Sequence, residues 1–285
     1  MIKNIELRGM NIGRKSINKI KSAWFQEFKN LLKNKDPKFK IDWDKFIQKT
    51  YVLNIAHRED RRVALQKKLK QIKTLKGNML HQITWWKGFY LESEWDQNIH
   101  VKEYSFKYHW DIDPNPKWNR VTPDQMEGVK VDCSIPESNI ALGHASILYD
   151  IVKNKIKVGL ILEDDVDFVP GFTLKIEDIF TNQLPSDFDI LYVSALPAEH
   201  GFKWEEYSDD LVEIHSGLWW FSGLFVSESG AQKLIDAFPI VGPVDVWINY
   251  QFKDLNVYMT KCNLVDQNTG IVSDNQYSFA DKFGW

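Results

Sequence analysis

Residues 159–168 read GLILEDDVDF, an apolar run that meets three consecutive carboxylates, Glu163, Asp164 and Asp165. A short run of this kind, rich in branched side chains and ended by polar residues, predicts a buried strand over 158–162. Like charges packed so closely repel, so their position at a strand end needs a reason. In an open α/β sheet, ligands collect at the carboxyl ends of the strands. Alternate side chains of an extended segment share a face, so Glu163 and Asp165 are expected to converge while Asp164 points elsewhere. Two hard oxygen ligands suit Mg²⁺ or Mn²⁺ held jointly with substrate phosphates.

The surrounding pattern predicts the sheet that this strand belongs to. TYVLNI (50–55), HQITWWKG (81–88), FDILYVSAL (188–196), LVEIH (211–215), WWFSGLFVS (219–227) and NVYMT (256–260) read as strands. Helices are expected over 58–72, 137–155 and 228–238, with another beginning after Pro243. Alternating strands and helices predict an α/β sandwich with a mainly parallel sheet. Residues 89–135, aromatic and rich in Pro and Asp, read as a long insertion or substrate loop.

The charge is unevenly shared. Residues 1–40 carry 11 Lys/Arg against 3 Asp/Glu, a net of +8, and residues 41–285 carry 25 against 36, a net of −11. An acidic body lacks the broad basic face of a duplex-binding protein, so no nucleic-acid partner is expected. In the first segment Ser16 caps a helix with Ile17, Ile20, Trp24, Phe28 and Leu31 on one face, ended by Pro37. That basic amphipathic helix suits either packing on its own domain or peripheral contact with an anionic membrane. The division expected is a helical extension at 1–47 and one α/β domain at 48–285. No apolar run reaches 18 residues and the N-terminus lacks a signal-peptide core, so a cytoplasmic protein is expected. Cys133 and Cys262 are too few for a disulfide framework. Twelve tryptophans suit stacking on sugar rings, or simply a core.

Several motifs, in order, resemble glycosyltransferase family 25, which includes the lipooligosaccharide and collagen galactosyltransferases. ILEDDV (161–166) resembles its acidic motif, and YVLNIAHREDRR (51–62) its opening strand and Arg-rich sequel. ESNIALGH (137–144) resembles its Glu–x₄–Leu–Ser–His helix start, with Gly143 where Ser is usual. SGLFVSESGAQKLI (222–235), PVDVW (243–247) and NLVDQNTGIVSD (263–274) resemble three later elements. The resemblance implies a GT-A fold and metal-dependent, inverting transfer from a UDP-sugar, with galactose the sugar it favours. A glycan, a lipid-linked sugar or a hydroxylated side chain would supply the accepting hydroxyl.

Under that resemblance Asn54, Arg58 and Arg61 meet the nucleotide, with Arg supplying a planar fork for phosphate. Asp165 is the expected Mn²⁺ or Mg²⁺ ligand, assisted by Glu163, or by Asp164 through ribose or water. Enzymes of this fold commonly add a C-terminal His ligand, but no His follows His215, so Asp274 or Asp266 stands in. Gln267 faces the sugar or diphosphate. Asp245, at a helix start after Pro243, is the expected catalytic base, the alternative being a structural helix-start carboxylate. His144 either contacts the donor or is a core histidine, and Trp219 or Trp220 stacks on a sugar. A phosphohydrolase reading of DVD (165–167) fails, since that class has its nucleophile on the first strand. The remaining alternative is a non-catalytic carbohydrate- or partner-binding protein on the same fold.

Overall fold

A computed structural model describes residues 42–89, 109–111, 130–132, 135–197, 202–240 and 242–268. The chain divides into two units, Met1–Phe39 and Lys40–Trp285. The expected extension helix, most of the 89–135 insertion, Cys133 and Asp274 lie outside the described residues. The second unit begins before the expected residue 48. Trp43 and Ile47 are already core residues, and the Trp43 indole donates to Thr50 Oγ1 at 3.2 Å.

The strands are, in chain order, β1 (Lys49–Asn54), β2 (Lys73–Thr74), β3 (Gly77–Asn78), β4 (Ile83–Lys87), β5 (His109–Asp111), β6 (Lys130–Asp132), β7 (Val158–Glu163) and β8 (Val166–Phe168). They continue with β9 (Ile190–Pro197), β10 (Lys203–Glu206), β11 (Leu211–Ser216), β12 (Leu218–Ser227), β13 (Val257–Thr260) and β14 (Val265–Gln267). Eight form one sheet in the order β10-β11-β13-β9-β12-β7-β1-β4. The sheet is mixed: β11 and β12 run against the other six strands. The fold is therefore α/β with a mostly parallel sheet, as the alternation of elements predicts. The two strands that run against the rest, β11 with LVEIH and β12 with WWFSGLFVS, follow one another in the chain with only Gly217 between them and share one direction.

β1 pairs in parallel with β4 on one side and β7 on the other. Chain order thus reverses beside β1, which opens a crevice at the carboxyl ends of β1 and β7. Asn54 ends β1 and Glu163 ends β7, so both stand at this crevice.

The helix Ile135–Lys153 covers the sheet beneath it, packing Ala141, Leu142, Ala145, Leu148 and Ile151 in one core with Tyr51, Leu53 and Ile161. Gly143 sits mid-helix, where glycine costs about 1 kcal/mol relative to alanine. A Cβ there would lie 2.8 Å from both δ-methyls of Leu53. A side chain at 143 would have to displace the Leu53 δ-methyls.

Candidate active site

The acidic stretch leaves the strand sooner than alternation requires. β7 ends at Glu163, Asp164 and Asp165 form a turn, and β8 begins at Val166. A turn does not keep the period-two rule, so Asp164 does not point away. Its carboxylate is buried: Oδ2 accepts from Asn54 Nδ2 at 2.7 Å and Oδ1 from Arg61 Nη1 at 2.9 Å. The same Arg61 nitrogen donates to Asp165 Oδ2 at 3.3 Å. Arg61 reaches in because it lies in the first turn of the helix Glu59–Leu69, which starts just beyond β1. Burial raises the Asp164 pKa, opposed by the hydrogen bonds from Asn54 and Arg61.

Asp165 is held from the other side by the C-terminal strand. β14 pairs antiparallel with β8, which brings Gln267 opposite Val166. Gln267 Nε2 donates to Asp165 Oδ2 at 3.3 Å, and the Asn268 amide donates to the Asp165 carbonyl at 2.7 Å. With Oδ2 held by two donors, Asp165 Oδ1 is buried and, among the described residues, has no hydrogen-bond partner. An orphaned anionic oxygen is costly in a protein interior and marks a position suited to a cation. Asp266, one residue earlier on β14, is exposed and accepts from Asn263 at 3.0 Å, so it faces away from Asp165.

Glu163 completes the cluster. Burial first, then the charges of Asp165, Asp164 and Asp245, push its pKa up to about 8, while a 3.3 Å hydrogen bond from Ser222 Oγ opposes the rise. The pKa is raised above its unfolded value, so its contribution to stability is full below about pH 4.5 and is lost as pH rises through about 8. Metal-free protein should therefore show a falling urea midpoint between pH 5.5 and 8.5. Asp165→Asn, which removes the largest of these like charges, should flatten that slope.

Asp245 is the second residue of the short helix Val244–Asn249 that starts after Pro243, as expected, and its field acts on both Glu163 and buried Tyr192. Its Oδ1 accepts from the Val246 amide at 3.0 Å. The helix is held by Asn249, which the sequence reading missed. Asn249 Nδ2 donates to the carbonyls of Leu218 and Asp245 at 2.6 and 2.7 Å. Its Oδ1 accepts from the amides of Gly217 and Leu218 at 3.1 and 2.9 Å. One buried side chain thus ties the Asp245 helix to the start of β12, the strand that carries Ser222. No local pattern announces such a residue, because its partners Leu218 and Gly217 lie 31 and 32 positions away.

The remaining expectations divide. Arg58 donates through Nε and Nη2 to Asp60, both at 3.0 Å, and that fork holds the exposed Asp60 carboxyl down at about 2. His144 is buried, and burial lowers its pKa to about 4, so it is neutral at pH 7. Trp219 and Trp220 belong to β12, with side chains outside the described residues.

The structure therefore brings Asn54, Arg61, Glu163, Asp164, Asp165 and Gln267 together at the sheet's switch point, within the field of Asp245. No protein-family model matches this chain, and no curated protein matches it.

Among the described residues, no three His, Cys, Asp or Glu side chains form a ready-made metal cage. The donor set nevertheless fits a hard divalent ion held partly by substrate phosphate. Such ions keep open positions and take only one or two protein carboxylates. Asp165 offers an orphaned oxygen, whereas both oxygens of Asp164 are taken by Asn54 and Arg61.

Proposed function

We propose that this chain is a glycosyltransferase of the GT-A type, moving a sugar, galactose by resemblance, from a UDP-sugar to a hydroxyl with inversion. The observation that carries this reading is the buried carboxylate cluster at the switch point, with Asp165 Oδ1 unsatisfied. Asp165 would hold Mn²⁺ or Mg²⁺, with Glu163 beside it. When bound, the ion supplies charge neutralisation for a departing diphosphate.

The chain's own residues carry the rest. Asn54 and Arg61 border the crevice where a nucleotide would lie, and Arg58 stands at the entrance to the adjoining helix. Asp164 acts as their anchor, holding Asn54 and Arg61 in fixed orientation. Gln267 fixes Asp165. Asp245 takes the proton of the acceptor hydroxyl while that oxygen bonds to the anomeric carbon. The bond from that carbon to the β-phosphate oxygen breaks in the same step, and UDP leaves with the electron pair. A glycan, a lipid-linked sugar or a hydroxylated side chain meets this need.

The deciding experiment measures UDP release from a panel of UDP-sugars with pooled hydroxyl acceptors, in Mn²⁺ and in EDTA. One donor should give metal-dependent release, and Asp245→Asn should lower transfer by about 10²–10⁴-fold while calorimetric UDP binding persists. Unchanged transfer in that variant would move the base elsewhere. Silence with every donor, together with no UDP binding in Mn²⁺, would support a non-catalytic carbohydrate- or partner-binding role instead.

A further inference from the structure

Residues 66–77 read QKKLKQIKTLKG, with five lysines and no carboxylate, in a body that is otherwise acidic. They comprise the end of the helix Glu59–Leu69 and the β2–β3 hairpin. Lys68 turns inward, donating to the Val166 carbonyl at 3.0 Å and pairing with Asp167. Lys76 pairs with Asp44. Lys67, Lys70 and Lys73 are exposed and have no carboxylate partner among the described residues.

Two exposed apolar side chains sit among these lysines. Leu75, at the hairpin, is 57% exposed, and Val63 is 41% exposed. Val63, Lys67 and Lys70 fall at i, i+4 and i+7, so they share one helix face that runs toward the hairpin. At the other end of that helix, Glu59 and Asp60 mark where the basic face stops.

We propose that this face docks on an anionic lipid bilayer, with Leu75 entering the interface and Lys67, Lys70 and Lys73 meeting lipid phosphates. A nucleic acid would use the lysines but gain nothing from an exposed leucine at the tip, so the pairing of features favours lipid. The charge layout agrees: on this helix Arg61 faces Asp164 and Asp165 and the inward Lys68 pairs with Asp167, which leaves Lys67, Lys70 and Lys73 as the lysines that an anionic surface would meet. The docking face is separate from the proposed activity and does not depend on it. Among the described residues, no helix is long and apolar enough to cross a membrane, so the contact is peripheral.

The test is co-sedimentation of the full chain with phosphatidylcholine vesicles, with and without about 30 mol% phosphatidylglycerol. The wild type should pellet only with the anionic vesicles. Replacing Lys67, Lys70 and Lys73 with Gln should weaken partitioning roughly a hundredfold, since each lysine near such a surface contributes about fivefold. Leu75→Ser should weaken it by roughly tenfold. All four positions are exposed, and unchanged thermal melting would confirm intact folding. Wild-type pelleting by the triple variant would overturn the proposal, as would an indifferent Leu75→Ser. Equal loss of binding to a duplex oligonucleotide in the triple variant, with Leu75→Ser neutral, would overturn it in favour of nucleic acid.

Discussion

Asp165→Asn is expected to reduce Mn²⁺-dependent UDP release by at least about 10³-fold, the loss of several kcal/mol of charge stabilisation in a buried site. The substitution keeps the side chain's shape, and its oxygen still accepts from Arg61 and Gln267. What disappears is the anionic character of Oδ1, the one carboxylate oxygen of the turn that is buried and unpartnered. Direct Mn²⁺ titration by electron paramagnetic resonance should report weakened binding independently of turnover. Asp164→Ala should behave differently. Removing it strands Asn54 and Arg61 at a buried ion pair, a change that typically costs about 3–5 kcal/mol. Its signature is a lowered denaturation midpoint, whereas that of Asp165→Asn is lost metal affinity in a folded protein. If Asp165→Asn retains full Mn²⁺-dependent release, the metal role assigned to Asp165 is wrong.

Gly230→Ala should destabilise the domain by about 3 kcal/mol, at the upper end of ordinary overpacking, because the obstacle is backbone. In most helices alanine is better than glycine by about 1 kcal/mol, so the sign is reversed here. A Cβ on Gly230 would lie 2.4 Å from the Asp189 carbonyl oxygen and 2.9 Å from its carbon. Neither side can yield easily. The Asp189 carbonyl accepts from the Ser227 amide at 3.0 Å, and its carboxylate is held by Lys233 and the Asn256 amide at 2.6 and 2.9 Å. Ser227 Oγ meanwhile caps the helix Glu228–Asp236 through the Gly230 amide at 2.9 Å. For a domain of this size the loss corresponds to a drop of roughly 6–12 °C in Tm. Gln232→Ala, on the exposed face of the same helix, should change Tm by no more than about 2 °C. Equal melting of the two variants would show that the helix can shift off Asp189.

Much of the fold was legible because its signals are local. Period-two and near-continuous apolar runs announced β1, β4, β7, β9 and β13, and helical spacing announced the helices that follow Arg58, Cys133 and Ser227. Short elements were not legible. β10, β14 and the β2–β3 hairpin are too brief for periodicity to declare them. The antiparallel setting of β12 depends on which strands flank it, and its own residues do not record that. The domain start at Lys40 was also hidden, since Trp43 becomes a core residue only when Thr50 and Phe172 are brought to it.

For the candidate site, the sequence alone determined that a carboxylate triplet ends a buried strand and that Asn54 ends the first strand with Arg61 soon after it. Those are consequences of chain pattern. Only the tertiary structure decided how these groups divide the work: Asp164 bound by Asn54 and Arg61, Asp165 left with one orphaned oxygen, and Glu163 raised toward neutrality. Asn249 entered for the same reason, as did the bond from Gln267, already a candidate in the sequence, to Asp165. Each outcome depends on partners brought from 31 to 110 positions away and on the exclusion of water around them, neither of which any local stretch of sequence contains.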